Sequence, residues 1–155
     1  MNKILILLLG LHTPNKYADP NIDPEQQFEC LAKNIYFEAR DQSDHGQLAV
    51  AMVTLNRLVS DKYPNTICDV VYENRYRWTL HKCQFSWYCD GKSDRPREVD
   101  AWHHARDMAD AALQRYAAGY DHTKGSTHYH SRKVDPHWAP HYNYVATIGD
   151  HLFYN

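Results

Sequence analysis

At 155 residues the chain is one domain with room for a real hydrophobic core. A formal net charge of −2 and a pI near 6.6 leave no electrostatic footprint for nucleic acid. Four Trp and twelve Tyr are many aromatics for a chain of mean hydropathy −0.71; a sugar-binding groove would use such amphipathic rings, and so would ordinary core packing.

Residues 1–18 read as a secretory leader. Lys3 supplies a positive start, Ile4 to Leu11 form an apolar run, Pro14 breaks it and Ala18 offers a small residue for cleavage. The run is too short to span a bilayer, so no stable membrane insertion is expected. Residues 20–155 then form the folded domain, with no linker or internal repeat.

The first helix is expected to start at Pro24, with Asp23 as its N-cap. Phe28, Leu31, Ala32, Ile35, Tyr36 and Ala39 recur at helical spacing and make one apolar stripe. Glu38 follows Leu31 by two helical turns and lies about 20° from it, on the edge of that stripe. A carboxylate withdrawn from water has its ionised form destabilised, so its pKa rises, which is what a general acid needs near neutral pH. The competing reading is a structural ion pair with Arg40, Arg57 or a distant Lys. A second helix begins near Ser43 and carries Leu48, Ala51, Met52, Leu55 and Val59 on one face. Its run from Leu48 to Val53 is apolar all round, which marks a central, buried helix.

Asp61 to Asn65 form a turn, and Thr66 to Tyr72 a short apolar element of undetermined type. From Arg75 to Asp90 the aromatic and β-branched content favours strands and a hairpin, with Gln84 and Ser86 on a polar face opposite Phe85 and Trp87. Four cysteines allow three pairings. Cys83 and Cys89 bracket a short QFSWY segment, which leaves Cys30 to join Cys68, and paired cysteines agree with export. A third long helix runs from about Glu98 to a stop at Gly119, with Trp102, Ala105, Ala109, Ala112, Leu113 and Tyr116 at helical spacing.

The last third reads as short strands and loops. Thr127, Tyr129 and Ser131 face one way, His128 and His130 the other. Asp135-Pro136 makes a turn presenting His137 and Trp138, and Ile148 to Tyr154 form a closing strand. The order of elements is α+β.

Histidines concentrate between His122 and His151, and His128 with His130 on one strand face would be half a zinc site, with His137 or His141 as a third ligand. A metal-dependent peptidoglycan amidase or peptidase can be drawn from these parts. No HExxH is present, however, and the spacing fits no recognised zinc pattern, so no metal or other cofactor is expected. A non-catalytic glycan-binding module is the other alternative, with Trp87, Tyr129, Trp138 and the histidines as its surface.

IYFEAR, GQLAVAMVTLNR, YPNTICDVVY, CQFSWYCDGKSD, GSTHYHS, PHWAP and IGDHLFY, in that order, resemble the SleB-type cell wall hydrolases, whose founding members lyse spore cortex. The resemblance covers Cys30 to Tyr154. It implies a lysozyme-like fold, peptidoglycan glycan strands as partner, and the glutamate of the EAR block, Glu38, as catalytic acid. Gln84, Ser86, His128, Tyr129, His130 and Trp138 combine the matched motifs with polar or aromatic side chains and are the expected groove-lining residues. The family's EAR block commonly continues Gly-Glu, whereas this chain has Asp41-Gln42, and glutamine cannot ionise. The usual glycosidase needs two carboxylates about 5–9.5 Å apart. A lytic transglycosylase needs one, so the expectation leans to ring closure, with muramidase hydrolysis left open.

Overall fold

The computed structural model describes residues 21–74 and 83–155. Its elements are α1 (Pro24–Ala39), α2 (Asp44–Val59), α3 (Ile67–Val71), a 3-10 turn (Ser86–Cys89), α4 (Val99–Ala117), β1 (His128–Ser131), a second 3-10 turn (Ala139–His141), β2 (Tyr144–Ile148) and β3 (His151–Tyr154). The leader expected over residues 1–18 lies outside the described residues, as do 75–82 of the expected hairpin. Among the described residues no helix is long and apolar enough to cross a membrane.

The helices begin where the sequence places their caps. Asp23 accepts the backbone N–H of Glu25 ahead of Pro24, Ser43 accepts that of Gly46, and Thr66 that of Asp69. α2 is the central element, buried without interruption from Gly46 to Leu58, while Val59 is turned outward and leaves the stripe. α1, α3 and α4 pack around it. Leu31, Ile35, Met52, Leu55 and Ile67 are fully buried at their shared interface, and Ala105, Ala109 and Ala112 let α4 approach closely. Cys30–Cys68 ties α1 to α3, and Cys83–Cys89 closes the loop that contains the first 3-10 turn.

The sheet is antiparallel in the order β1-β3-β2. It packs on the other side of α2, where Ala49 and Val53 meet Ile148 and Phe153. The fold is α+β, helices with one small antiparallel sheet.

Two sequence expectations are corrected. Residues 84–90 are not a strand: Cys83 makes one isolated bridge to Asn74, and Ser86–Cys89 then coil into a 3-10 turn. Six residues of strand would advance roughly 20 Å, but the Cα atoms of Cys83 and Cys89 are 5.8 Å apart, so the covalent link forces the chain back on itself. Ile148 to Tyr154 is not one strand: Ile148 ends β2, and only His151–Tyr154 form the closing strand. Gly149 at φ +57° and Asp150 make the turn between them, and the chain returns antiparallel as β3.

Candidate active site

Glu38 occupies the last turn of α1, one residue before its end, and is partly buried. Its neighbour in space comes from β1. The Tyr129 hydroxyl donates to Glu38 Oε2 at 2.6 Å. The Tyr129 ring lies beside Phe153 (5.5 Å between centroids) and edge-on to His151 (5.1 Å), so the sheet fixes the direction of the hydroxyl. Burial pushes the Glu38 carboxyl above its ordinary range; the bond from Tyr129 and the positive charge of Arg57 pull the other way and do not prevail. Tyr129 is itself held well above the usual phenol range, by burial first and by Glu38 second, so it remains a donor.

Arg57 is the charged group that sequence reasoning brings in only as an ion-pair partner. It sits near the C-terminal end of α2 and is 3% exposed. Its Nε donates to the Thr127 carbonyl at 2.8 Å, and with the Gln84 amide assigned the orientation that satisfies both groups, its two terminal nitrogens donate to the Gln84 side-chain oxygen at 3.1 and 3.2 Å. The guanidinium lies over the rings of Tyr63 and Phe85. Arg57 therefore joins the residue before β1 to the loop after Cys83, the two segments that flank Glu38. Burial lowers its pKa, against the attraction of Tyr63, Tyr129, Glu73 and Glu38. The signal for it in the sequence is a lone arginine closing the apolar run of a helix that is buried on all sides. Arg40, the other candidate partner, instead meets Glu98 at 2.8 Å on the surface.

A second buried network seats the loop on α1. Trp87 Nε1 donates to Asn34 Oδ1 (3.0 Å), Asn34 donates to Thr54 (3.2 Å), and Phe37, the residue before Glu38, stacks on Trp87 at 4.6 Å. Ser86 lies exposed on the same 3-10 turn.

The expected groove residues thus divide. Tyr129 and, through Arg57, Gln84 converge with Glu38. His128, His130 and Trp138 gather on the opposite face of β1, where the alternation of the strand puts them. The imidazoles there are engaged with protein groups: His130 Nε2 with the Tyr154 hydroxyl, and His128 Nδ1 with Thr127 Oγ1, both at 2.9 Å. Among the described residues no group of three or more His, Cys, Asp or Glu is arranged to hold a metal ion.

Residues 41–154 match the family model described as Cell Wall Hydrolase. The chain belongs to the cell wall hydrolase family. A spore cortex-lytic enzyme of Oceanobacillus iheyensis is 28% identical over 145 residues, covering 93% of this chain and 45% of that protein. A spore cortex-lytic enzyme of Bacillus cereus is 38% identical over 66 residues, 43% of this chain and 23% of its own. The chain therefore spans less than half the length of these relatives. Among solved structures, the catalytic domain of Bacillus cereus SleB superposes with a TM-score of 0.68 at 26% identity, covering 92% of this chain and all of that one. The catalytic domain of the germination-specific lytic transglycosylase SleB from Bacillus anthracis gives 0.66 at 27%, with the same coverage.

Gln42, where the resemblance implies a glutamate, is tied to the Asp150 turn. Its Nε2 donates to Asp150 Oδ2 (3.2 Å) and its Oε1 accepts the Asp150 backbone N–H (3.0 Å). The amide brackets the α1–α2 turn to the Gly149-Asp150 turn, and a Cβ on Gly149 would lie only 2.5 Å from Gln42 Oε1. A glutamate here would face the Asp150 carboxylate with no proton to donate at neutral pH.

Proposed function

We propose that this domain cleaves the β-1,4 bond of peptidoglycan at N-acetylmuramic acid, with Glu38 as acid and then base, as a lytic transglycosylase. The observation that carries this reading is the Glu38 carboxyl itself. Burial raises its pKa, and because Tyr129 donates to Oε2, a proton on the carboxyl is carried by Oε1.

Glu38 Oε1–H protonates the glycosidic oxygen, and the bond from that oxygen to the muramic acid C1 breaks, leaving positive charge on the sugar. The ionised Glu38 then takes the proton of the C6 hydroxyl as O6 bonds to C1. A 1,6-anhydro ring results, and no water is consumed. The Tyr129 bond and the nearby Arg57 charge favour the carboxylate in the interval when it is ionised. Ring closure needs no second carboxylate, and Gln42, at the position where the family commonly carries one, is committed to the Asp150 turn. The similarity to the Bacillus anthracis protein, a germination-specific lytic transglycosylase, is in line with this chemistry.

Gln84 and Ser86 are assigned to the approach to Glu38 on the loop side. Two disulfides and the family's wall substrate support an exported enzyme working outside the cytoplasm. Mass spectrometry of digested peptidoglycan tests the reaction: anhydro-muramic ends are expected, and reducing ends heavier by one water would replace ring closure with hydrolysis.

A further inference from the structure

Away from Glu38 and its partners, the outward face of the sheet carries a continuous layer of six rings: His128, His130, Trp138, Tyr142, Tyr144 and Tyr154. His130 stacks on Tyr154 at 5.3 Å, and Trp138 stands edge-on to both, at 5.5 and 5.6 Å. Tyr142 lies 3.9 Å from His128, and Tyr144 packs edge-on to Tyr154 at 5.9 Å. The inner rings are fixed by the His130–Tyr154 hydrogen bond and by the burial of Tyr154 (8% exposed). The outer two are left open, Tyr142 at 39% and Tyr144 at 58% exposure, and the Tyr144 hydroxyl is held by Thr147 Oγ1 at 2.9 Å.

We propose that Tyr142 and Tyr144, on this rigid backing, form a second glycan-binding platform that holds a neighbouring strand of the wall while Glu38 cuts another. The proposal rests on peptidoglycan being the substrate and adds a site for it. A pyranose offers an apolar C–H face and a rim of hydroxyl and N-acetyl groups; an aromatic ring with a polar tip satisfies both at once, which an aliphatic docking patch cannot. The turn leaving β1 adds exposed Arg132 and Lys133, but Asp135 lies on the same turn and exposed Asp150 accepts the Arg132 N–H through its carbonyl, so the platform rests on its rings and not on net charge. The platform faces away from Glu38 because β1 turns Tyr129 to one side and His128 and His130 to the other. Its contribution is therefore to retention on an insoluble polymer and not to the chemical step.

The test combines Tyr142→Ala and Tyr144→Ala in full-length protein that also carries Glu38→Gln, with co-sedimentation on purified sacculi. Retention about tenfold weaker than in Glu38→Gln alone is expected, the scale of two lost ring contacts. Tyr142→Phe with Tyr144→Phe should restore most of it. With Glu38 intact, the alanine pair should clear sacculi slowly yet cut short soluble glycan fragments at the parental rate. The weaker retention should persist on glycan stripped of its peptide stems. Unchanged retention would overturn the platform. So would an equal loss on short fragments, which would move the rings into the cleft, or a defect seen only when stems are present. Persisting lysis by Glu38→Gln alone would instead defeat the catalytic assignment, whatever the retention shows.

Discussion

Glu38→Gln separates the catalytic acid from a structural ion pair because the two readings predict opposite things for stability. Glutamine keeps the volume and an oxygen that can accept from Tyr129, so the 2.6 Å contact has a successor. Arg57 keeps its bonds to Thr127 and Gln84, so no buried charge is stranded. Had Glu38 been the guanidinium's principal partner, its loss would cost about 3–5 kcal/mol. Here a change within about 1 kcal/mol is expected, or roughly 2–4 °C in Tm for a chain of this size. The sign should depend on pH. Because the folded-state pKa is raised above the ordinary value of 4.5, the native state binds the proton more tightly than the unfolded one. The stability this contributes is complete below the unfolded pKa and is lost as pH rises through the folded value. Thermal melts across that interval should therefore show the glutamine variant gaining on the parent as pH rises. Turbidity clearing of peptidoglycan should fall by at least about 10²–10⁴-fold, the usual worth of a positioned general acid. Clearing at near the parental rate would refute the assignment, and a loss of several kcal/mol would restore the ion-pair reading.

Tyr129→Phe removes a bond that lowers the Glu38 pKa, so the alkaline limb of the rate profile should move to higher pH; the rate itself should fall by no more than about 10²-fold. A limb that stays put would mean that Tyr129 does not act on the carboxyl, and one that moves down would reverse the sign assigned to its bond. Thiol titration of the native protein should find no free cysteine, and opening Cys30–Cys68 should cost about 2–4 kcal/mol by denaturant melts; four titratable thiols would contradict both bridges. Exhaustive dialysis against a chelator should leave glycan cleavage unchanged, and a loss restored by zinc would return the histidines of β1 to consideration as ligands.

The helical half of the fold is legible because local rules and tertiary packing agree there. Asp23 and Ser43 announce α1 and α2, and the apolar spacing of α1 places Glu38 at the margin of the core before any contact is known. The Gln84–Asp90 segment departs from its strand-like composition because β-propensity describes a pleated surface, whereas a covalent link between Cys83 and Cys89 decides the path. The β2–β3 turn is masked although Gly149-Asp150 is a recognisable two-residue hairpin signal, since Ile148 to Tyr154 is apolar enough to resemble one element. The strand alternation around Tyr129 is readable from the sequence, yet only the structure shows that Tyr129 is the member that meets Glu38 while His128 and His130 pack with Trp138 on the other face. Arg57 escapes notice for a physical reason. A helical pattern shows that an arginine is buried; it does not show which carbonyl and which distant glutamine side chain receive its donors.

Under the proposed mechanism, those partners decide the chemistry at Glu38. A direct pairing of Arg57 with the carboxylate would favour the ionised form and hold the acid below the range in which it can give a proton. With Nε on Thr127 and the terminal nitrogens on Gln84 in its assigned amide orientation, the guanidinium has neutral acceptors, feels the Glu73 carboxylate more than that of Glu38, and acts on Glu38 through space. Burial then dominates while the proton is on the carboxyl, and the Arg57 field and the Tyr129 bond limit the cost once it has left. An enzyme whose single carboxylate must act first as acid and then as base requires that balance, since a group too easily ionised fails the first step and one never stabilised as an anion fails the second. The same three contacts draw α2, β1 and the Cys83–Cys89 loop together around the end of α1. The burial that raises the Glu38 pKa and the cation that moderates it are thus set by one packing arrangement.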